Sequence, residues 1–303
     1  MTSPDPTSVF VTAPDGLRLH VRVRGANHSA EHPGRLPAVC LPGLTRTAED
    51  FDVLARALAN DPQHPRRVLA LDYRGRGRSD YDLDPAHYAV PVEAGDVLAV
   101  LAALGAEPAV IVGTSRGGLI ALVIAALRPQ AIAGVVFNDI GPVIEPAGLA
   151  RIKGYVGKMG SPANFAEAAA LLRRLSAGQF PTLTEADWLA AAHRGFREHG
   201  GRLVPTYDPA LARTLENFDP SVPLPALWRE FDALKDKPVL VVRGANSDLL
   251  SPATVAEMQA RHPALDSITV PDQGHAPLLA EPDVIARIAA FAARCDQVAR
   301  SST

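Results

Sequence analysis

Ser115 is the residue whose surroundings most clearly indicate chemistry. It stands at the centre of a Gly-x-Ser-x-Gly pentapeptide that begins at Gly113 and ends at Gly117. The apolar residues 110–112 predict a strand buried on both faces, and the helix formers of residues 119–127 follow the serine. The glycines allow a sharp turn from strand to helix, which exposes the hydroxyl at the carboxyl end of a sheet. Ser115 is therefore a candidate nucleophile.

A serine hydroxyl is a weak nucleophile at neutral pH, so Ser115 needs an imidazole to take its proton and a carboxylate to orient that imidazole. His275 lies in a loop between a short predicted strand and the last predicted helix, which places it at the same sheet edge. Asp248, which follows the predicted strand at residues 238–242, is the preferred carboxylate. A serine on a strand–turn–helix predicts the chain order serine, acid, histidine, and Asp248 lies between Ser115 and His275. Asp139, which follows the preceding predicted strand, is the alternative acid.

Two backbone amides are expected to stabilise the negative charge that develops on a carbonyl oxygen. One belongs to Arg116, directly after the serine. The other is assigned to Leu44, in the loop after the predicted strand at residues 36–41, where Gly43 allows the backbone to approach a substrate closely. These residues predict an oxyanion hole and, with the trio above, attack on a carbonyl carbon.

The composition argues against several other classes of function. The chain has 303 residues, 47% of them hydrophobic, and a formal net charge of -3, so neither nucleic acid nor an anionic membrane is an expected partner. Residues 1–8 lack the apolar centre of a secretory signal, and no apolar stretch reaches membrane-spanning length. Cys40 and Cys295 are expected to be buried free thiols in the cytoplasm, and no cysteine or histidine spacing predicts a metal site.

Predicted strands and helices alternate along most of the chain, which indicates parallel βαβ units and a central sheet covered on both faces. The predicted strands are residues 8–13, 17–24, 36–41, 68–71, the run before Ser115, 132–137, 238–242 and 267–270; the predicted helices are 48–59, 92–104, 119–127, 252–261 and 282–293. Between residues 138 and 226 the alternation stops. Alanine-rich helical segments at 164–175, 185–198 and 209–216 indicate an insertion there, large enough to act as a lid.

Together these motifs resemble the α/β-hydrolase superfamily, from about residue 9 to the final helix. The resemblance rests on the serine turn, on the Arg- and Gly-rich residues 72–79, on Gly244-x-x-x-Asp248 and on Gly274-His275. It implies an α/β fold with an eight-stranded, mostly parallel sheet, helices on both faces and no cofactor. It also implies a core domain of residues 1–143 and 227–303, with a helical cap at residues 144–226 inserted after the sixth strand.

The chain departs from many members of that superfamily at the oxyanion loop, where Leu41-Pro42-Gly43 replaces a His-Gly pair. Arg46 and Arg116 stand near this loop and could attract a substrate carboxylate. Pairing with local acids such as Glu49 or Asp50 is the favoured interpretation.

The expected activity is hydrolysis of a small-molecule carboxylic ester through a Ser-His-Asp triad and an acyl-enzyme. Alternatives with the same triad are C–C bond hydrolysis of a meta-cleavage product, lactone opening, amide hydrolysis and cofactor-free perhydrolysis; a non-catalytic ligand receptor is a further alternative. The sequence leaves the oligomeric state open between monomer and homodimer. Substrate contacts are expected from Gly43 and from five large side chains in or near the insertion: Tyr155, Met159, Trp188, Tyr207 and Trp228.

Overall fold

The computed structural model describes residues 5–25, 27, 31–32 and 34–301. The sequence analysis predicts that residues 1–8 are not a secretory signal; residues 1–4 of that segment lie outside the described ranges. The strands are β1 (Thr7–Thr12), β2 (Arg18–Arg24), β3 (Ala38–Leu41), β4 (Val68–Leu71), β5 (Ala109–Thr114), β6 (Ile132–Asn138), β7 (Phe196–His199), β8 (Arg202–Pro205), β9 (Val239–Gly244) and β10 (Asp266–Val270).

Eight of these strands form one sheet in the order β1-β2-β4-β3-β5-β6-β9-β10. Within this sheet β2 pairs antiparallel with β1 and β4, and the other pairings are parallel. The predicted eight-stranded, mostly parallel sheet is confirmed. Parallel strands end at the same edge, so the loops that follow β5, β6, β9 and β10 gather there.

The neighbouring strands β5 and β6 bring the first functional side chains together. Both are apolar runs buried on both faces, which is typical of central parallel strands. Their last residues, Thr114 and Asn138, lie directly opposite each other in the register. Ser115 and Asp139, the next residue on each chain segment, therefore leave the sheet side by side.

Helices cover both faces of this sheet. Their bounds are α1 (Asp52–Ala59), α2 (Val90–Ala103), α3 (Arg116–Leu127), α4 (Pro146–Tyr155), α5 (Phe165–Ser176), α6 (Glu185–Gly195), α7 (Trp228–Asp232), α8 (Pro252–Arg261) and α9 (Pro282–Ser301). Side chains of α2, α3, α7 and α8 belong to the hydrophobic core on one face, and those of α1 and α9 to the core on the other. Among the described residues, none of the helices is both long and apolar enough to cross a bilayer.

Both cysteines are buried free thiols, as predicted. Cys40 lies in β3 and Cys295 in α9. Burial raises the pKa of the Cys295 thiol to about 12, so this sulfur stays protonated and packs as an apolar group.

The chain between β6 and β9 departs from the strand–helix alternation, but it is not wholly helical. We call residues 144–226 the insert; it holds α4, α5, α6 and a two-stranded hairpin of β7 and β8. The helix predicted at residues 185–198 ends at Gly195, and the segment at 209–216 is a 3-10 helix at Pro209–Leu215. Gly200 and Gly201 explain the hairpin, because both adopt the positive φ (57° and 74°) that a two-residue turn requires.

Candidate active site

Ser115 occupies the sharp turn between β5 and α3. Its backbone has φ 51° and ψ -113°, a region that a residue other than glycine rarely adopts. The flanking glycines are required by close contacts: a Cβ on Gly117 would lie 2.1 Å from Leu41 O, and a Cβ on Gly113 would lie 2.6 Å from Gly118 N. Tight packing of α3 against β5 and β3 thus holds the strained serine in place.

His275 lies in the loop after β10, and its ring joins two side chains at the sheet edge. Its Nε2 is 2.8 Å from Ser115 Oγ, and its Nδ1 is 2.8 Å from Asp139 Oδ2. The Asp139 carboxylate accepts the Nδ1 hydrogen, which leaves Nε2 free to accept the hydroxyl hydrogen of Ser115. The side chains of His275 and Asp139 are 6% and 0% exposed. The structure therefore brings the predicted nucleophile and base into direct contact.

Asp139, the alternative acid in the sequence, is the one that contacts His275. It follows β6 with φ 55°, which directs the side chain toward the histidine loop. Its Oδ1 accepts the Gly244 amide at 2.8 Å, and Ser247 Oγ donates to Oδ2 at 2.5 Å. These donors stabilise a buried carboxylate that would otherwise be costly to bury. Ser247 is a residue that sequence reasoning missed, although it stands next to Asp248 in the loop after β9.

The preference for Asp248 as the acid is corrected by the structure. Its carboxylate faces Arg151 of α4, with Arg151 Nε 2.6 Å from Oδ2 and Nη2 2.9 Å from Oδ1. Burial alone would raise the pKa of Asp248, but hydrogen bonds from Arg151 and Gln179 outweigh it and lower that pKa. The carboxylate thus joins the β9 loop to the insert. Sequence spacing could not reveal this, because Arg151 lies 97 positions away.

The loop after β3 lies beside the serine, as the oxyanion prediction requires. A Cβ placed on Gly43 would be 3.8 Å from Ser115 Cβ. Arg76 Nε donates to Leu44 O at 2.9 Å, which fixes the orientation of this loop. Within the described part of the chain, neither the Leu44 amide nor the Arg116 amide donates to a protein acceptor. Both remain available to a ligand oxygen.

Arg116 does not pair with Glu49 or Asp50 as the favoured interpretation proposed. Its Nε donates to Glu93 of α2 at 2.6 Å, and Arg76 Nη1 binds the same buried carboxylate at 2.7 Å. The Glu93 side chain is 0% exposed and bridges both guanidinium groups, which turns Arg116 away from a ligand role. Arg46 does pair with Asp50, with its Nε 2.5 Å from Oδ2.

A cavity of about 540 Å³ opens at Ser115 and His275 between the sheet edge and the insert. Five of the six predicted contact residues line it: Gly43, Tyr155, Met159, Trp188 and Tyr207. Trp228 does not line it; its ring packs under the Arg261 guanidinium at 4.4 Å and against Phe231. The sequence analysis missed much of the apolar wall, including Ile152, Leu172, Phe180, Leu183, Leu278 and Leu279. Helical periodicity could have identified the apolar face to which some of these residues belong. It could not have shown that this face lines the cavity.

Asn138, another cavity residue that was missed, ties the serine turn to the histidine loop. Its Nδ2 donates to Thr114 Oγ1 at 3.0 Å and to Pro277 O at 2.9 Å.

Within the described ranges, the His, Cys, Asp and Glu side chains form no cluster of three that could hold a metal ion. The hydrogen bonds that His275 makes with Ser115 and Asp139 at the cavity are suited to proton transfer and nucleophilic attack.

Comparisons with known proteins identify the family to which the chain is similar. A model of the alpha/beta hydrolase family matches residues 38–288. The chain is 39% identical over 274 residues to the 3-hydroxybutyrate-oligomer hydrolase of Cupriavidus necator, covering 86% of this chain and 92% of that protein. The 2-(acetamidomethylene)succinate hydrolase of Mesorhizobium japonicum is 27% identical, and the alignment covers 77% of this chain and 79% of that protein.

A solved structure extends the match to the whole fold. The crystal structure of an alpha/beta hydrolase from Novosphingobium aromaticivorans superimposes with a TM-score of 0.87 at 40% identity, covering 97% of this chain and 100% of that one. Because the family model matches residues 38–288 and the fold agrees with it, the chain belongs to the alpha/beta hydrolase family.

Proposed function

We propose that this hydrolase cleaves carboxylic esters through Ser115, His275 and Asp139. One observation carries the proposal: a continuous hydrogen-bond chain runs from Ser115 Oγ through the His275 ring to Asp139, with both contacts at 2.8 Å. This arrangement supports Ser115 as the nucleophile, His275 as the base and Asp139 as the orienting carboxylate. The cavity at the serine is large enough for a small molecule.

In the proposed mechanism, Ser115 Oγ attacks the ester carbonyl carbon while His275 Nε2 takes its proton. Asp139 stabilises the imidazolium, and the amides of Leu44 and Arg116 stabilise the oxyanion. The carbon–oxygen bond to the alcohol then breaks, and the alcohol leaves with the proton from His275. Water, activated by the same imidazole, attacks the acyl group on Ser115, releases the acid and restores the serine.

Relatives support an ester of modest size as the substrate. The relative from Cupriavidus necator is named for 3-hydroxybutyrate oligomers, and it aligns over most of both chains. We extend that to a proposal that this chain acts on short hydroxy-acid esters. The second candidate function is hydrolysis of an amide by the same three residues. It is favoured by the relative from Mesorhizobium japonicum, whose named substrate carries an acetamide group.

Replacement of the nucleophile tests the proposal. Ser115→Ala should lower kcat/KM for short aryl esters by about 10³-fold or more, because no other group would form the acyl-enzyme. Ser161→Ala, which removes an exposed hydroxyl outside the cavity wall, is the matched control and should keep wild-type turnover. Parallel assays of an ester, a lactone and an amide with one acyl group would rank the bond types. Near-wild-type ester turnover by Ser115→Ala would refute the proposal.

A further inference from the structure

Two arginines line the cavity and share one carboxylate. Arg46, from the loop after β3, binds Asp50 with Nε at 2.5 Å and Nη2 at 2.6 Å. Arg194, near the end of α6 in the insert, reaches the same Asp50 with Nε at 3.3 Å. The side chains of Arg46, Asp50 and Arg194 are 32%, 23% and 30% exposed. Core and insert thus each contribute a guanidinium group to one part of the cavity wall.

Both guanidinium groups keep hydrogen-bond donors for which the described residues offer no acceptor. A guanidinium has five N–H donors. In the described part of the chain, Nη1 of Arg46 and both Nη atoms of Arg194 have no acceptor. These atoms are not sealed in the interior either. They are therefore free to bind an oxygen that a ligand brings into the cavity.

The other acids on this wall are already engaged. Glu49 and Asp52 both accept from Arg22, at 3.2 Å and 2.7 Å. Asp187 Oδ2 accepts from the Thr184 amide and hydroxyl, where it closes the capping box of α6. Among the described acids on this wall, only Asp50 accepts hydrogen bonds from Arg46 and Arg194, and Asp187 attracts Arg194 electrostatically without a hydrogen bond. An additional acceptor would use the remaining guanidinium donors.

The pair lies close to the reacting serine. The Cβ position on Gly43 that is 3.8 Å from Ser115 Cβ is also 3.4 Å from Arg46 Cγ. A Cβ on Gly195, the neighbour of Arg194, would lie 3.9 Å from Arg46 Nη1. The stem of Arg46 therefore lies beside the serine, and its guanidinium group lies beside the residue that follows Arg194.

Building on the proposed function, we propose that Arg46 and Arg194 form a subsite for a free carboxylate of the substrate. Guanidinium groups bind carboxylates through paired N–H donors, and the bond is strongest where solvent is partly excluded. The apolar part of the same cavity wall, which includes Leu183 and Leu278, suits the methylene chain that joins this carboxylate to the scissile ester. The substrate class is an ester that retains one free acid group.

Matched esters with the same leaving group test the subsite. The 4-nitrophenyl half esters of glutaric, adipic and pimelic acid carry a free carboxylate at increasing distance, and their methyl-capped diesters do not. The wild-type enzyme should hydrolyse the best half ester with a kcat/KM about 10-fold to 100-fold above its capped partner. Arg194→Met and Arg46→Met should each reduce this ratio about tenfold or more. Arg197→Met, which removes an exposed guanidinium that contacts Tyr81 outside the cavity wall, should keep the wild-type ratio.

The outcomes separate this inference from the proposed function. Wild-type turnover of both ester series with no preference, or a ratio unchanged in Arg194→Met, would overturn the subsite and leave the esterase intact. If neither ester is turned over, the proposed function fails, and calorimetric binding of adipate still tests the subsite. Adipate should then bind the wild-type protein more tightly than it binds Arg194→Met, and equal binding would overturn the inference. Because Arg194 lies on the insert, its variant remains informative even if Arg46→Met does not fold.

Discussion

At the scale of single residues, two aspartates at neighbouring strand ends take different roles because of the groups that face them. Asp139 is buried; its Oδ2 accepts from His275 and Ser247, and its Oδ1 accepts from the Gly244 amide. Asp248 faces Arg151 instead. Chain position alone made Asp248 the better candidate, and the distinction depends on hydrogen bonds between distant segments.

Asparagine substitutions should separate these two roles. Asp139→Asn should lower kcat by about 10³-fold to 10⁴-fold, because an amide neither fixes the required histidine tautomer nor stabilises the imidazolium. Asp248→Asn keeps the shape of a side chain that does not contact His275, and we expect a loss below about tenfold. Steady-state kinetics on one aryl ester would compare the two. A larger loss in Asp248→Asn would mean that the acid is misassigned.

At the scale of elements, the packing of α3 against the sheet is what holds the serine turn. Gly117→Ala would place a methyl group 2.1 Å from the backbone oxygen of Leu41, so β3 or α3 must shift. We expect it to lower the free energy of unfolding by about 3 kcal/mol. Gly95→Ala in α2 meets nothing within 4 Å and should raise that free energy by about 0.5–1 kcal/mol, because alanine favours helix. Urea titration measures both, and equal stability of the two variants would contradict this account of the turn.

The insert also braces the loop that carries the histidine. Gln179, between α5 and α6, accepts the backbone amide of His275 through Oε1 at 3.0 Å. A Cβ on Gly274 would lie 2.5 Å from the Gln179 Cβ, so the two segments are in close contact.

We expect Gln179→Ala to lower kcat about tenfold while KM changes less, because His275 loses positional restraint rather than substrate contacts. Separate measurement of kcat and KM tests this, with Gln63→Ala, an exposed residue before β4, as the control. A rise in KM with kcat unchanged would assign Gln179 to substrate binding instead.

At the scale of the whole molecule, one buried ion pair fastens the last helix to the core. Asp296 of α9 accepts from the two Nη atoms of Arg66 at 3.2 Å and 3.1 Å, from Arg35 Nη1 at 3.2 Å and from the Leu36 amide at 2.9 Å. The side chains of Arg66 and Asp296 are 1% and 0% exposed. Asp296→Ala would leave Arg66 charged and buried, and it should reduce the free energy of unfolding by about 3–5 kcal/mol.

An exposed pair provides the control for that prediction. Arg287 and Asp266 are 2.6 Å apart with side chains 51% and 30% exposed, and Asp266→Ala should cost less than about 1 kcal/mol. Chemical denaturation of both variants gives the comparison. Similar costs for the two substitutions would show that burial of the Arg66–Asp296 pair adds nothing to stability.

The sequence predicted the central sheet and the serine turn because their signals are local. Buried parallel strands are continuous apolar runs, and the Gly-x-Ser-x-Gly turn is a pattern of five consecutive residues, although the contact that requires Gly117 is with the distant Leu41. The hairpin at residues 196–205, the Asp248–Arg151 pair and the Arg116–Glu93 pair were not predicted. Each depends on which surfaces meet after folding, and no local pattern records that choice.

Detection of the covalent intermediate tests the proposed chemistry most directly. A stopped-flow reaction with a 4-nitrophenyl ester should release about one equivalent of 4-nitrophenolate per site in a burst. In a parallel reaction quenched in acid during the first turnover, mass spectrometry of the digested protein should find the acyl group on the peptide that contains Ser115. Ser115→Ala should show neither the burst nor the adduct. An acyl group on another residue, or hydrolysis that persists at full rate in Ser115→Ala, would contradict the account.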